Sequence, residues 1–248
     1  MANGFDPRAN ASPQPNPSLA GVGRDSVAFD AGLRSHMLSV YNYMASGVLL
    51  TGLVAMLFAR SGMAADLFIN GGLLKWVVVL APLGLVMWLS FGINRISTGT
   101  AQALFWIYAA TLGLSLSVIF LEYTGTSIAR TFFATAAAFA SLSLWGYTTK
   151  KDLSAFGTFL VMGLFGLIIA MVINFFLKST AMDLAISAIG VLIFAGLTAY
   201  DTQKIKSMYF EVAGTDYVGK AVVMGALALY LDFLNMFLFL LRFMGSRD

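Results

Sequence analysis

Long apolar segments separated by short polar connections fill the chain after residue 36. Each segment has about 20 residues, the length at which an α-helix crosses a hydrocarbon core of about 30 Å. The apolar runs are nearly continuous, whereas the strands of a membrane barrel alternate apolar and polar residues. The pattern predicts an all-α polytopic membrane protein, a bundle of seven transmembrane helices at residues 37–59, 74–93, 101–121, 130–148, 154–177, 184–200 and 221–243.

The composition supports a membrane protein. Of 248 residues, 59% are hydrophobic and 11% are charged, whereas an ordinary soluble domain has about 25% charged residues. This excludes a soluble Rossmann domain, a disordered chain and a nucleic-acid-binding protein. The net charge of +3 is explained by Lys and Arg residues that anchor loops at the membrane surface. The expected surroundings are therefore the lipid bilayer, and no nucleic acid is expected as a partner.

The chain has no cysteine and one histidine, His36. Disulfides, thiol nucleophiles and zinc centres built from several His or Cys residues are therefore excluded, and no cofactor is expected. His36 comes just before the first apolar segment, so we expect it at the level of the lipid headgroups, without a functional role.

Residues 1–36 differ from the rest of the chain. They are polar and contain four of the five prolines, Pro7, Pro13, Pro15 and Pro17. Such a segment buries too little apolar area to offset the entropy lost on ordering, so we predict a flexible tail. No apolar signal-peptide core follows Met1. The seven-helix transmembrane domain is predicted at residues 37–245.

The distribution of Lys and Arg predicts the orientation, because cytoplasmic loops carry an excess of them. With the tail in the cytoplasm, nine basic residues lie on that side: Arg8, Arg24, Arg34, Arg95, Lys150, Lys151, Lys204, Lys206 and Lys220. Six lie on the other side: Arg60, Lys75, Arg130, Lys178, Arg242 and Arg247. We therefore expect a cytoplasmic N-terminus, and seven spans then place the C-terminus outside unless the last span is re-entrant.

Two acidic residues stand out by their depth. Asp232 lies near the middle of the seventh predicted span, where an isolated carboxylate costs several kcal/mol. Asp201 ends the sixth predicted span. Because spans alternate in direction, the end of the sixth and the start of the seventh lie on the same side, and the two carboxyl groups can meet in the cytoplasmic half of the bundle.

Two carboxylates that meet in a medium of low dielectric constant do not both ionise cheaply, so they would share a proton. When ionised they offer the hard oxygen ligands that Ca²⁺ prefers. A proton and a Ca²⁺ ion would then compete for one site. The side chains expected to support the site are Tyr200, Tyr230, Asn235 and Lys204.

Simpler interpretations of these residues remain open. Asp201 precedes Lys204 by three residues and could form an interfacial ion pair that ends a helix. Asp232 could be a buried interhelical hydrogen-bond partner. Arg95, at the end of the second predicted span, is either a membrane-surface anchor or the counter-charge of Asp201.

Three stretches of the chain resemble the Bax inhibitor-1 family, also called the transmembrane BAX inhibitor motif family. They are KKDLS at residues 150–154, GLTAYDTQKIK at 196–206 and ALALYLDFLNMFLFLLRFMG at 226–245. With the seven-span pattern, the resemblance covers roughly residues 30–245.

The resemblance implies a bundle in which the last helix is central, wrapped by the other six, and a function as a pH-sensitive calcium leak channel. It implies that Asp201 and Asp232 form the pair that binds the proton or the cation. It also implies that Arg95 pairs with Asp201 in the closed state, as a latch that protonation releases. Ca²⁺ would move passively, since the chain has no GxxxxGK nucleotide motif.

Two other functions are compatible with the sequence. Intramembrane aspartyl proteases also place a Tyr-Asp pair in one span and an Asp in the next, as Tyr200, Asp201 and Asp232 do. Their second motif is Gly-x-Gly-Asp, however, whereas this chain reads Leu229-Tyr230-Leu231-Asp232. A zinc-dependent lipid hydrolase is disfavoured by the single histidine.

The other alternative is an interaction protein. Some bacterial relatives are associated with a membrane-bound AAA protease, and the tail at residues 1–36 would suit such a partner. The sequence predicts no particular oligomeric state.

Overall fold

A computed structural model describes residues 17–246, with side chains described for residues 30–246. Within that range the chain forms helices and short loops, without a β-strand. The helices are α1 (Pro17–Arg60), α2 (Met63–Asn70), α3 (Gly72–Gly92), α4 (Thr98–Leu116), α5 (Ile119–Glu122), α6 (Gly125–Thr148), α7 (Ser154–Leu177), α8 (Thr180–Val212) and α9 (Val218–Met244).

Seven segments are long and apolar enough to cross a membrane, which confirms the predicted number of spans. The third span consists of α4 and α5 together, because the helix is interrupted at Ser117 and Val118. The sequence did not predict α2, a short helix between the first two spans. The spans are Asp30–Arg60, Gly72–Gly92, Thr98–Glu122, Gly125–Thr148, Ser154–Leu177, Thr180–Val212 and Val218–Met244.

Helix α9 lies at the centre of the bundle. Of its most apolar window 72% is buried, against 11% to 39% for the other spans. Its principal contacts are with α1, α4, α6 and α8, while α3 packs outside against α4 and α7 packs outside against α8. The predicted central position of the last helix is confirmed, and its principal neighbours are four of the other spans rather than six.

The loops define two ends of the bundle. The N-side end contains the start of the first span and the loops at residues 93–97, 149–153 and 213–217. The C-side end contains α2, the loops at residues 123–124 and 178–179, and residues 245–246. Each end is closed by hydrogen bonds between loops: the Tyr217 hydroxyl donates to Asn94 Oδ1 at the N-side end, and Thr124 N donates to the Ser246 carbonyl at the C-side end.

Helix α8 continues well past the predicted end of the sixth span. Its 33 residues extend over about 50 Å, more than the thickness of a hydrocarbon core. The segment after Asp201 stays helical because Ile205 is buried against the bundle, and the helix ends before Gly214, whose φ of 77° suits glycine. The prediction that Asp201 ends a helix is therefore wrong, since α8 continues to Val212.

Helix α1 begins at Pro17, so residues 17–36 of the predicted tail are helical, and residues 1–16 of that tail lie outside the described residues. His36, expected at the headgroups, is instead buried within the bundle with 4% of its surface exposed. Its ring lies 5.2 Å from that of Tyr209 in α8. The first span starts earlier than predicted because Leu33, His36 and Met37 form one buried stripe on α1.

Candidate functional site

Asp232 lies near the middle of α9, on the most enclosed helix of the bundle. Its side chain is 4% exposed, and its Oδ2 atom has no hydrogen-bond partner among the described residues. The neighbouring residues Phe233 and Leu234 are buried and apolar. A carboxyl group in such surroundings needs a proton or an electrostatic partner, because an isolated ionised carboxylate loses most of its solvation there.

Asp201 of α8 supplies the neighbouring group. The Asp201 and Asp232 carboxyl groups lie within hydrogen-bonding reach of one another. Asp201 is half-buried, whereas Asp232 is buried, so Asp201 is the more exposed member of the pair. A hydrogen bond between two carboxyl groups requires that one of them carries a proton.

The positive charge beside Asp201 belongs to Lys204, which follows it by three residues on the same helix and acts on it electrostatically. Lys204 is exposed, and its Nζ lies 5.9 Å from the centre of the Tyr200 ring. Arg95 lies in the loop after α3 with an exposed side chain. Within residues 30–246 the one ion pair shorter than 4.0 Å joins Arg242 to Asp183, so Arg95 and Asp201 are apart in this conformation.

Tyr230 faces away from the aspartate pair. Two residues apart on a helix correspond to about 200° of rotation, so Tyr230 and Asp232 lie on opposite sides of α9. The Tyr230 hydroxyl is fully buried and lies 2.6 Å from Thr51 Oγ1 of α1. Tyr230 therefore anchors α9 to the first span rather than supporting the carboxyl groups.

Tyr200 and Asn235 are also engaged elsewhere. The Tyr200 ring packs directly against Gly157 of α7, where any Cβ atom would overlap it. The Asn235 amide donates to the carbonyl oxygen of Leu231 in its own helix over 2.9 Å. The structure thus brings together Asp201, Asp232 and Lys204 and directs Tyr200 to a helix contact.

A chain of hydroxyl groups that was not predicted from the sequence begins one residue after Asp201. Thr202 donates to the Thr198 carbonyl, and its Oγ1 lies 2.9 Å from Ser143 of α6. Ser143 lies 2.7 Å from the Tyr41 hydroxyl of α1. Since each hydroxyl has one proton, Tyr41 donates to Ser143 and Ser143 donates to Thr202. The chain holds α1, α6 and α8 together beside the carboxyl pair.

Two of the stretches that resemble the Bax inhibitor-1 family meet at the N-side end. Gln203 accepts a hydrogen bond from Leu153 N over 2.9 Å and donates to the Lys151 carbonyl over 2.8 Å. In the same loop, hydrogen bonds from the Ser154 hydroxyl and backbone N–H hold the pKa of Asp152 below its usual value. The two hydrogen bonds of Gln203 fix the loop before α7 to α8, two residues from Asp201.

The C-side half of α9 is apolar. Between Asp232 and Arg242 the only polar side chain is Asn235. Phe237 and Leu241 pack with Ile119 of the third span and with Tyr123 in the loop that follows it. At the end of this segment, Arg242 pairs with Asp183 of α8 over 3.5 Å. Between the carboxyl pair and the C-side end, α9 is therefore packed almost entirely through apolar side chains.

Comparison with known families gives the same assignment as the motifs. The family profile described as "Inhibitor of apoptosis-promoting Bax1" matches residues 33–248, which include all seven spans except the first three residues of the first. The chain belongs to the Bax inhibitor-1 family. Asp201, Asp232 and Gln203 all lie within the part of the chain that matches this family.

The relatives match nearly the whole Bax inhibitor-1 domain. RP147 of Rickettsia prowazekii is 50% identical over 220 residues, which cover 88% of this chain and 92% of that protein. The inner membrane protein YbhL of Escherichia coli strain K12 is 47% identical over 219 residues, which cover 88% and 94%. Together with the seven spans, the family establishes a multi-pass membrane protein.

Proposed function

We propose that this protein is a pH-sensitive Ca²⁺ leak channel of the bacterial inner membrane, in which Asp201 and Asp232 bind either a proton or Ca²⁺. The observation that supports this most directly is the juxtaposition of the two carboxyl groups inside the bundle. The name of the relative YbhL supports the inner membrane. The excess of Lys and Arg at the N-side end supports a cytoplasmic N-terminus.

The proton is shared because ionising both carboxyl groups is costly. Two unit charges 4 Å apart repel by about 4 kcal/mol at an effective dielectric constant of 20. The positive charge of Lys204 offsets part of this at Asp201, and Asp232 has no cation beside it among the side chains described. The pair therefore retains one proton until a cation arrives or the pH rises far enough to remove it.

Ca²⁺ is the cation that fits the pair by chemistry. Two carboxylates offer up to four oxygen atoms, and Ca²⁺ takes six to eight oxygen ligands at 2.3–2.6 Å. Within the described chain no third acidic side chain joins the cluster, so water and backbone oxygens complete the shell. Such a site binds Ca²⁺ weakly, which suits passage through a channel, because an ion held tightly does not leave.

The apolar C-side half of α9 is the proposed gate. Phe237 and Leu241 pack with Ile119 and Tyr123 there, and an apolar constriction on the proposed ion path would stop ions by excluding water. Flux therefore requires α9 to move relative to the third span. Protonation changes the charge on α8 and α9 where they meet, so it shifts the balance between the closed and the open arrangement.

Ca²⁺ flux into liposomes tests this function. The purified protein is reconstituted with an encapsulated Ca²⁺ indicator, and flux is recorded over a pH series. We expect Asp232→Asn to reduce flux to that of protein-free liposomes, whereas Asp216→Asn, the same substitution in the exposed loop before α9, retains wild-type flux. Unchanged, pH-dependent flux in Asp232→Asn contradicts the proposal.

An intramembrane aspartyl protease is the second candidate, because it needs two aspartates that share a proton, as Asp201 and Asp232 would do. The two candidates differ in the substrate. Incubation of the purified protein with a model transmembrane peptide distinguishes them: the leak predicts no cleavage. Specific cleavage that is lost in Asp201→Ala favours the protease instead.

A further inference from the structure

A large apolar groove separates α1 from α6. It has a volume of about 740 Å³, within the range of roughly 300–1,000 Å³ found for ligand sites. Its walls are the two helices, and Phe233 of α9 forms part of its floor. Several side chains on its rim, including Leu38, Leu49 and Leu144, are exposed, so the groove opens sideways toward the surroundings of the bundle.

The groove is long enough for a lipid acyl chain. Along α1 it runs from Arg34 to Leu49, and along α6 from Tyr147 to Phe132. Fifteen residues of helix correspond to about 22 Å, about three quarters of a hydrocarbon core of about 30 Å. The groove therefore starts at the end of two spans and extends past the middle of the bilayer, so it is long enough to hold an acyl chain anchored at one surface.

The N-side end of the groove is basic. Arg34 lies on its wall and is exposed. Lys206 donates to the Tyr147 carbonyl over 2.9 Å, with its Nζ 5.0 Å from the centre of the Tyr147 ring. Asp30, one turn before Arg34, forms no ion pair shorter than 4.0 Å within the described residues. Basic groups at the membrane surface beside an apolar groove complement a phosphate with attached acyl chains.

We propose that this groove binds a phospholipid with an anionic headgroup, whose phosphate contacts Arg34 and one acyl chain of which packs against Phe233. The proposal does not depend on the leak function. It places a lipid chain beside both helices of the carboxyl pair, because Phe233 follows Asp232 and the groove residue Ser143 is hydrogen-bonded to Thr202.

Native mass spectrometry of the full-length protein tests the proposal. The delipidated protein is titrated with phosphatidylglycerol and, as the headgroup control, with phosphatidylcholine. We expect one phosphatidylglycerol to bind more tightly than phosphatidylcholine. In Ala140→Phe, which fills the groove from α6, this binding should weaken at least about tenfold. Ala137→Phe, on the exposed face of the same helix and outside the groove, should bind like wild type.

Arg34 is tested separately, since it supplies the headgroup contact. Arg34→Gln should weaken phosphatidylglycerol binding about fivefold, and phosphatidylcholine binding less, because the choline cation offsets the charge of the phosphate that Arg34 contacts. Arg130→Gln, at the opposite end of α6, should change neither. If Ala140→Phe fails to fold, Ala45→Phe fills the groove from α1.

Two results would overturn the proposal. One is equal lipid binding by Ala140→Phe and Ala137→Phe, which indicates only the lipid that surrounds any membrane protein. The other is a wild-type dimer that Ala140→Phe dissociates, which assigns the groove to a second copy of the chain.

Discussion

The phenolic oxygen of Tyr230 lies 2.6 Å from the hydroxyl oxygen of Thr51, and Thr51 donates in turn to the Ala109 carbonyl over 2.9 Å. Since Thr51 uses its single proton on Ala109, Tyr230 is the donor of the first hydrogen bond. Two consecutive hydrogen bonds thus join α9, α1 and α4. It holds the central helix on the side opposite Asp232.

Thr51→Val tests this anchor, because valine has the shape of threonine without its hydroxyl. The Tyr230 hydroxyl then loses its acceptor. We expect the free energy of unfolding to fall by about 1 kcal/mol, since interhelical hydrogen bonds in membrane proteins contribute about 0.6 kcal/mol on average and a buried unsatisfied donor adds to the loss. Denaturant titration in detergent measures it. Thr158→Val, an exposed site bonded within its own helix, should change stability little, and equal stability in the two variants would contradict the anchor.

A second test concerns the close approach of α6 and α8. A Cβ atom at Gly146 would overlap the backbone of Ala199, two residues before Asp201. Gly146→Ala should therefore force the helices apart, at a cost of about 1–3 kcal/mol, seen as a lower Tm. Gly166→Ala is the matched control, because a Cβ atom there meets no neighbouring atom and alanine favours the helix. A Tm for Gly146→Ala as high as that of Gly166→Ala would contradict the contact.

The spans and the two deep acids could be predicted from the sequence. Continuous apolar runs and the position of Asp232 within one of them depend only on local composition. The role of Tyr230 could not be predicted, since that depends on which helix faces each side of α9. The length of α8 could not be predicted either. In the sequence Ile205 is a single apolar residue between two lysines, and only the folded bundle shows that Ile205 is buried and that Lys206 is hydrogen-bonded to Tyr147.

The candidate site, like the fold, could be predicted from the sequence only in part. The pairing of Asp201 with Asp232 was expected from alternating topology. The hydroxyl chain from Tyr41 to Thr202 was not, because Ser and Thr residues in apolar spans normally bond to their own helix. The contact between Gln203 and the KKDLS loop had a signal in the sequence, because both lie within stretches that resemble the family.

Lys204 and Arg95 give different predictions for the pH dependence of flux. The positive charge of Lys204 favours the ionised form of Asp201. Lys204→Gln removes this charge, so the pH at which the change in flux is half complete, the midpoint, should rise. In the conformation described, Arg95 is apart from Asp201, so Arg95→Gln should shift the midpoint less. A larger shift for Arg95→Gln would indicate that the predicted latch forms in another state.

The N-terminal segment can be separated from the bundle by truncation. Deleting residues 1–16 removes no residue of the described structure, so we expect Ca²⁺ flux to be retained. If the segment serves an AAA protease, co-purification with such a protease should be lost in the same variant. Deleting residues 1–36 also removes Leu33 and His36, which are buried, and should lower the Tm. Loss of flux without residues 1–16 would contradict this separation.

The central claim is that Asp201 and Asp232 act as one site, and a double-mutant comparison of Ca²⁺ flux tests it most directly. Flux into liposomes is measured over a pH series for Asp201→Asn, Asp232→Asn and the double variant. Groups that act as a unit are strongly non-additive. We therefore predict that each single variant loses flux and pH dependence as fully as the double variant does. Single variants with independent, additive losses, or with the pH dependence of the wild type, would contradict a shared site.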